Sequence, residues 1–338
     1  MLFRKPSIPG VLLTGCLALV LSGCGSGKSG SSTSPSPAEQ AGGADKLQVA
    51  ATIYPMAEFA RQVGGDLVEV TPLVPTGVEP HDWEPSAKHM AAISSADVFV
   101  YNGIVESWAE QALSSATNSE RVVVEASKGL AKLASEDDGH GHGEEAHGQE
   151  EEAHHEAEGE GHGNLVDPHV WLDPLLAQQE VRAIMAGLQQ ADPDHKDQYK
   201  QNADAYIAKL DELHKQMSSE LAASKRKDFI TSHAAFAYLA DQYGLEQVPI
   251  SGLSPDQEPS PEQMADVIKF VRENGVTTIF FEALIDSKLA DTIAAETGAG
   301  TDVLNPLEGL TKEQAAAGED YISVMKSNLQ ALVKALNS

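Results

Sequence analysis

Between residues 192 and 223 the chain carries one apolar stripe at helical spacing, formed by Tyr199, Ala203, Tyr206, Ile207, Leu210, Leu213 and Met217. Side chains recurring every three or four residues share one helix face. Asp192 followed by Pro193 supplies an N-cap and a proline at the first helical position. A helix of that span runs about 45 Å at roughly 1.5 Å per residue, longer than one compact lobe needs. On both sides of it, short β-rich runs alternate with helical ones. Strands are expected over 47–53, 67–74, 97–101 and 121–124, with helices over 56–63, 87–94, 106–116 and 174–190; Gly64-Gly65 closes the first helix. After the stripe, strands are expected over 228–231, 245–249, 276–281 and 302–304, with helices over 234–243, 261–273, 287–296 and 319–336. Alternation of this kind implies βαβ units and parallel sheets. The expected fold is therefore α/β: two lobes (45–191 and 225–338) with mainly parallel sheets, joined by one long helix over 192–224. A ligand would sit in the cleft between the lobes, near the carboxyl ends of the strands.

The first residues read as a leader. Arg4 and Lys5 precede an apolar run from Val11 to Leu21, too short to span a bilayer comfortably. The run ends in Leu21-Ser22-Gly23-Cys24, which resembles the bacterial lipobox. That resemblance implies cleavage after residue 23, a lipid on Cys24 and an extracytoplasmic protein tethered to the cell membrane. Residues 24–44, rich in Gly, Ser and Pro, read as a flexible tether. Cys16 leaves with the leader, so no thiol remains for a disulfide or a thiolate metal site, and any metal must be held by nitrogen and oxygen.

Loss of Arg4 and Lys5 takes the formal charge from −28 to −30. Such a balance excludes nucleic acid as a partner, because phosphate binding needs clustered Lys and Arg. It suits a cation-handling protein, although acidic surfaces also serve solubility.

Four residues occupy comparable places. His81 lies in Glu79-Pro80-His81-Asp82-Trp83-Glu84-Pro85, after an expected strand. His169 lies in Asp167-Pro168-His169-Val170-Trp171-Leu172-Asp173-Pro174, just before a helix. His233 follows a strand in Thr231-Ser232-His233-Ala234, and Glu308 follows another in Leu304-Asn305-Pro306-Leu307-Glu308-Gly309-Leu310. Strand ends and proline-pinned loops fix the backbone while leaving the side chain free to face a cleft. Three imidazoles and one carboxylate make an N3O set suited to tetrahedral Zn2+, and neutral imidazole favours zinc over magnesium or calcium. Taken singly, a loop histidine is more often solvated than a ligand. Glu308 alone would read as a helix-start carboxylate. His89, His195 and His214 lack the loop context and read as ordinary side chains.

Together these segments resemble the zinc- and manganese-specific solute-binding proteins of ABC importers, the ZnuA- and AdcA-like proteins of cluster A-I, over roughly residues 47–336. The resemblance implies two α/β lobes bridged by a rigid helix with little hinge motion. It also implies a metal in the cleft and delivery to an ABC permease by a monomeric, non-enzymatic protein. It implies His81 and His169 as ligands from the first lobe, with His233 and a carboxylate from the second. Manganese-type members usually carry Glu at the third position, so His233 points to zinc. Many relatives have Asp where this chain has Asn305, which offers no anionic oxygen; a subgroup with Leu-Asn-Pro-Leu-Glu uses the Glu, which points to Glu308. Water and Glu79 remain alternatives for the fourth ligand. Glu282 matches a family position that supports the cleft. Asp167 either orients a ligand imidazole or caps the helix that follows.

Residues 136–163 hold almost only His, Glu, Gly, Asp and Ala, a composition that cannot bury a core. Six of the twelve histidines fall there (His140, His142, His147, His154, His155 and His162) among eleven acidic residues. Zinc-type relatives often carry such a loop at this point. The expectation is weak, multivalent zinc collection, against a solvated loop with no such role. Two other readings of the whole chain stay open. One is a manganese-binding or adhesin member of the same fold. The other is a zinc hydrolase using three histidines and a water, although the chain has no His-Glu-x-x-His motif.

Overall fold

The computed structural model describes residues 46–130 and 166–338. The leader, the tether with Cys24, and the stretch holding His140, His142, His147, His154, His155 and His162 lie outside the described residues.

The first sheet is built from β1 (Leu47–Ala51), β2 (Val68–Pro72), β3 (Val98–Tyr101) and β4 (Val122–Glu125), all parallel, in the order β2-β1-β3-β4. The second uses β5 (Asp228–Thr231), β6 (Glu246–Pro249), β7 (Thr278–Phe281) and β8 (Gly300–Val303), again all parallel, in the order β6-β5-β7-β8. The two orders are the same. In each sheet the chain moves outward from a starting strand, then crosses back to its other side, and the loops on either side of that reversal open a crevice at the carboxyl ends.

Helices α1 (Tyr54–Gly64), α2 (Ala87–Ser95), α3 (Ala109–Ser115) and α4 (Pro174–Ala191) serve the first sheet. The crossing helix is α5 (Lys196–Ala222), and α6 (Ala237–Tyr243), α7 (Pro261–Asn274), α8 (Lys288–Thr297), α9 (Lys312–Ala317) and α10 (Tyr321–Asn337) complete the chain. Along α5, Tyr199, Ala203, Tyr206, Leu210, Leu213, Met217 and Leu221 are buried, a stripe facing the core at the period of a helix. That stripe packs on α1 and α4 from one lobe and on α6 and α10 from the other. One continuous apolar core results, running from Val49 and Phe59 through α5 to Leu329 and Leu336. The lobes thus share buried surface, which stiffens their relative placement.

Several expected boundaries move, each for a local reason. The crossing helix begins at Lys196, after a 3-10 turn over Pro193–His195. Asp192 does not cap it, because its carboxylate accepts from Tyr199 Oη at 2.8 Å and His195 Nδ1 at 2.7 Å. The helix expected from 106 begins at Ala109, since Glu106 folds back to accept from the backbone N–H of Asn102 and Gly103. The helix expected from 234 begins at Ala237, because Ala234 N bonds to Gly252 O and Phe236 N to Gln247 Oε1. Gly65, at φ 55°, closes α1 as the glycine pair implies.

Gly187 in α4 marks a close helix–sheet approach, where an added Cβ would lie 2.2 Å from Val124 Cγ2 on β4. Valine is stiff at χ1 and cannot swing aside cheaply. Gly187→Ala is therefore expected to destabilise the protein by about 1–3 kcal/mol despite alanine's better helix propensity. A urea-unfolding midpoint that stays put or rises would contradict this.

Candidate metal centre

The crevices of the two sheets face one another, and four loops meet there. His81 comes from the β2–α2 loop and His169 from the segment leading into a 3-10 turn over Val170–Leu172. His233 follows β5 directly, and Glu308 lies between β8 and α9. One atom from each (an imidazole nitrogen from the histidines, a carboxylate oxygen from Glu308) falls within 4.8 Å of the others. Glu308 Oε1 is the hub: it lies 3.0 Å from His81 Nε2, 2.9 Å from His169 Nε2 and 3.5 Å from His233 Nε2. His169 and His233 bring their Nε2 atoms to 3.4 Å of each other.

That spacing suits a small cation. Bonds of about 2.0–2.1 Å arranged tetrahedrally place neighbouring ligand atoms roughly 3.3–3.4 Å apart. His169, His233 and Glu308 are buried, whereas the His81 side chain is 12% exposed, so the cluster meets solvent on the His81 side.

The chain matches the family described as "Zinc-uptake complex component A periplasmic" over residues 49–335. The chain belongs to this zinc-uptake family. It is 44% identical over 336 residues to the high-affinity zinc uptake system protein ZnuA of Bacillus subtilis, covering 99% of each chain. It is also 44% identical over 291 residues to the zinc-binding lipoprotein AdcA of Streptococcus pneumoniae, spanning 85% of this chain but only 55% of that longer protein. Among solved structures, the Zn(II)-bound ZnuA-like domain of Streptococcus pneumoniae AdcA matches with a TM-score of 0.71 at 41% identity, covering 87% of this chain and all of that one.

Within this member of the zinc-uptake family, two buried carboxylates grip the far sides of two imidazoles. Asp167 Oδ1 accepts from His169 Nδ1 at 2.7 Å and from the His169 backbone N–H at 2.9 Å. Asp167 thus contacts the His169 imidazole, and α4 is capped instead by Asp173, which accepts from Leu175 N. Glu282, at the end of β7, accepts from His233 Nδ1 at 2.6 Å. Because β5 and β7 flank the reversal in the second sheet, His233 and Glu282 are neighbours by topology. With Nδ1 committed to a carboxylate, each ring turns Nε2 to the centre, which fixes tautomer and orientation together.

The remaining residues stand apart. Glu79 does not join the cluster, since both its oxygens accept from the His81 backbone N–H at 3.0 Å. Burial lifts its carboxyl to about 7. Asn305 turns away, its Oδ1 accepting from Leu307 N at 2.7 Å. His89 completes the capping box of α2, His195 pairs with Asp192, and His214 meets Tyr243 Oη at 3.2 Å. Glu308 heads no helix, because α9 begins at Lys312 with Thr311 as its cap.

The electrostatics follow from the hub. Burial raises Glu308, yet hydrogen bonds from His169, His233 and His81 overturn that and hold it well below the usual carboxylate range. Burial pulls His233 down, but Glu282 and Glu308 outweigh it and hold the imidazole at about 10. His169 is raised in the same way, with Asp167 and Glu308 opposing its burial. Held at about 10, the His233 ring keeps a proton on Nε2 that faces the Glu308 carboxylate.

One prediction arises directly. Glu282→Ala removes the group that orients His233, and losses at such outer positions typically run about 10–100-fold in metal affinity. Competition with a chromophoric chelator measures this, and an unchanged affinity would remove Glu282 from the account.

Proposed function

We propose that this protein captures Zn2+ outside the cytoplasm through His81, His169, His233 and Glu308, and hands it to an ABC-type permease in the membrane. The observation that carries the reading is the convergence of three imidazole nitrogens and one carboxylate oxygen within 4.8 Å, at the facing ends of two sheets. Three neutral nitrogens and one anionic oxygen favour zinc over harder cations. The names of the Bacillus subtilis and Streptococcus pneumoniae relatives, which speak of zinc uptake and zinc binding, support the same cargo. Capture without turnover follows from a complete ligand set: a catalytic zinc keeps three protein ligands and an open position for water. Here Glu308 fills that position. In this reading the protein is not an enzyme, works as a monomer, and is held at the membrane by a lipid on Cys24.

The test is metal competition on the purified, metal-stripped protein. Zn2+ is expected to be retained when Mn2+ is offered at equal concentration; preferential retention of Mn2+ would overturn the assignment. The lipid anchor is checked by labelling cells with a radioactive fatty acid: the wild-type chain is expected to take up label and Cys24→Ala is not, and equal labelling would contradict the anchor.

A further inference from the structure

The chain reaches Glu308 through a backbone conformation that L-residues avoid. Leu307 has φ 59°, and among the described residues it is the only non-glycine in the left-handed region. Such a conformation costs about 1–2 kcal/mol for a residue with a side chain. Burial of the Leu307 side chain in the shared core repays part of that cost. Burial alone does not dictate the turn, however. Two asparagines do.

Asn328, on α10 and itself buried, grips residue 305 from both sides: its Oδ1 accepts from Asn305 N at 2.9 Å, and its Nδ2 donates to Asn305 O at 2.7 Å. Asn305 in turn spends its side-chain oxygen on Leu307 N at 2.7 Å. The sequence Asn328–Asn305–Leu307 is thus a continuous set of buried hydrogen bonds that bends the chain and aims residue 308 at the three imidazoles. It also turns the side chain at 305 back onto its own loop. A polar residue on the apolar face of α10, between Met325 and Leu329, is costly to bury unless its amide is satisfied. Here both ends of the amide are satisfied by the backbone N–H and C=O of a single residue, Asn305.

We propose that Asn328 and Asn305 are positioning residues for the metal site, which hold Leu307 left-handed so that Glu308, and not the side chain at 305, faces the imidazoles. The inference rests on the reading of His81, His169, His233 and Glu308 as the zinc ligands. It assigns the aim of Glu308 to a contact on the far side of the loop from the three imidazoles.

The test is a double-mutant cycle read by zinc affinity and by the visible absorption of bound Co2+, which reports the ligand set. Asn328→Leu is expected to lower zinc affinity at least about tenfold and to alter the Co2+ spectrum. In a Glu308→Gln background the same substitution is expected to add little, because the group through which it acts is already lost. Equal losses in both backgrounds, or a lowered melting temperature with affinity and spectrum unchanged, would overturn the proposal. If Asn328→Leu fails to fold, Asn328→Asp keeps the acceptor for Asn305 N and removes the donor, and enters the same cycle. The two readings fail differently. A Glu308→Gln protein with wild-type affinity and spectrum would sink the ligand assignment and this inference with it. A strong Glu308→Gln effect without coupling to Asn328 would sink this inference alone.

Discussion

His233→Ala is expected to weaken Zn2+ binding by roughly a hundredfold or more, while His214→Ala leaves it essentially unchanged. Structural zinc sites with four ligands bind with about 10–16 kcal/mol of apparent free energy, so each ligand carries on the order of 3 kcal/mol. Every 1.4 kcal/mol or so is a factor of ten. His233 contributes an Nε2 beside both Glu308 and His169, whereas His214 lies on α5 against Tyr243. The substitution also leaves Glu282 buried without the imidazole it holds, so the fold loses stability as well. Affinity is therefore read, by chelator competition, on protein that keeps a cooperative melt. Equal affinities for the two variants would contradict the site.

The second large effect is on pH. With His233 held at about 10 by Glu282 and Glu308, its Nε2 carries a proton at neutral pH, and zinc must displace it. Zinc binding at pH 7.5 is expected to release at least one proton. Apparent affinity should then climb about tenfold per pH unit for each proton displaced, up to the raised values. The sign for the fold itself is the reverse. A histidine raised from about 6.5 stabilises the metal-free protein fully below that value and loses the contribution as pH rises through about 10. The gap in melting temperature between zinc-loaded and metal-free protein should accordingly widen from pH 6.5 upward. Calorimetry in buffers of different ionisation enthalpy counts the protons, and a count of zero at pH 7.5 would contradict this account.

The architecture was legible because its signals are long or repeated. The stripe from Tyr199 to Met217 and the two runs of alternating strands and helices each involve many residues with one period. The candidate ligands were picked out because the segments around His81, His169, His233 and Glu308 together resemble one family of solute-binding proteins; no single loop histidine stands out by itself. What escaped was short or ambiguous. Helix α9 spans six residues and has no apolar face; its one signal was Thr311 followed three positions later by Gln314, a capping box. Asp167 and Asp173 both precede α4, and only coordinates distinguish the one that meets an imidazole from the one that caps. Asn328 left a trace, a polar residue on the buried side of an amphipathic helix. Its partner, the peptide at Asn305, lies 23 residues away in sequence, and no local pattern announces it.

The loop from Asn305 to Leu310 belongs to the second sheet by connectivity, yet beyond Asn305 its bonds run the other way. Trp171 Nε1 donates to Pro306 O at 2.7 Å, Tyr54 N to Glu308 O at 3.2 Å, and Gly77 N to Leu310 O at 2.9 Å. All three donors come from the first lobe. Traced along the chain, the four clustered groups divide two and two; traced by what grips its backbone, Glu308 sides with His81 and His169. The cluster is mechanically lopsided, a three-pronged claw on one lobe closed by a single finger, His233, on the other.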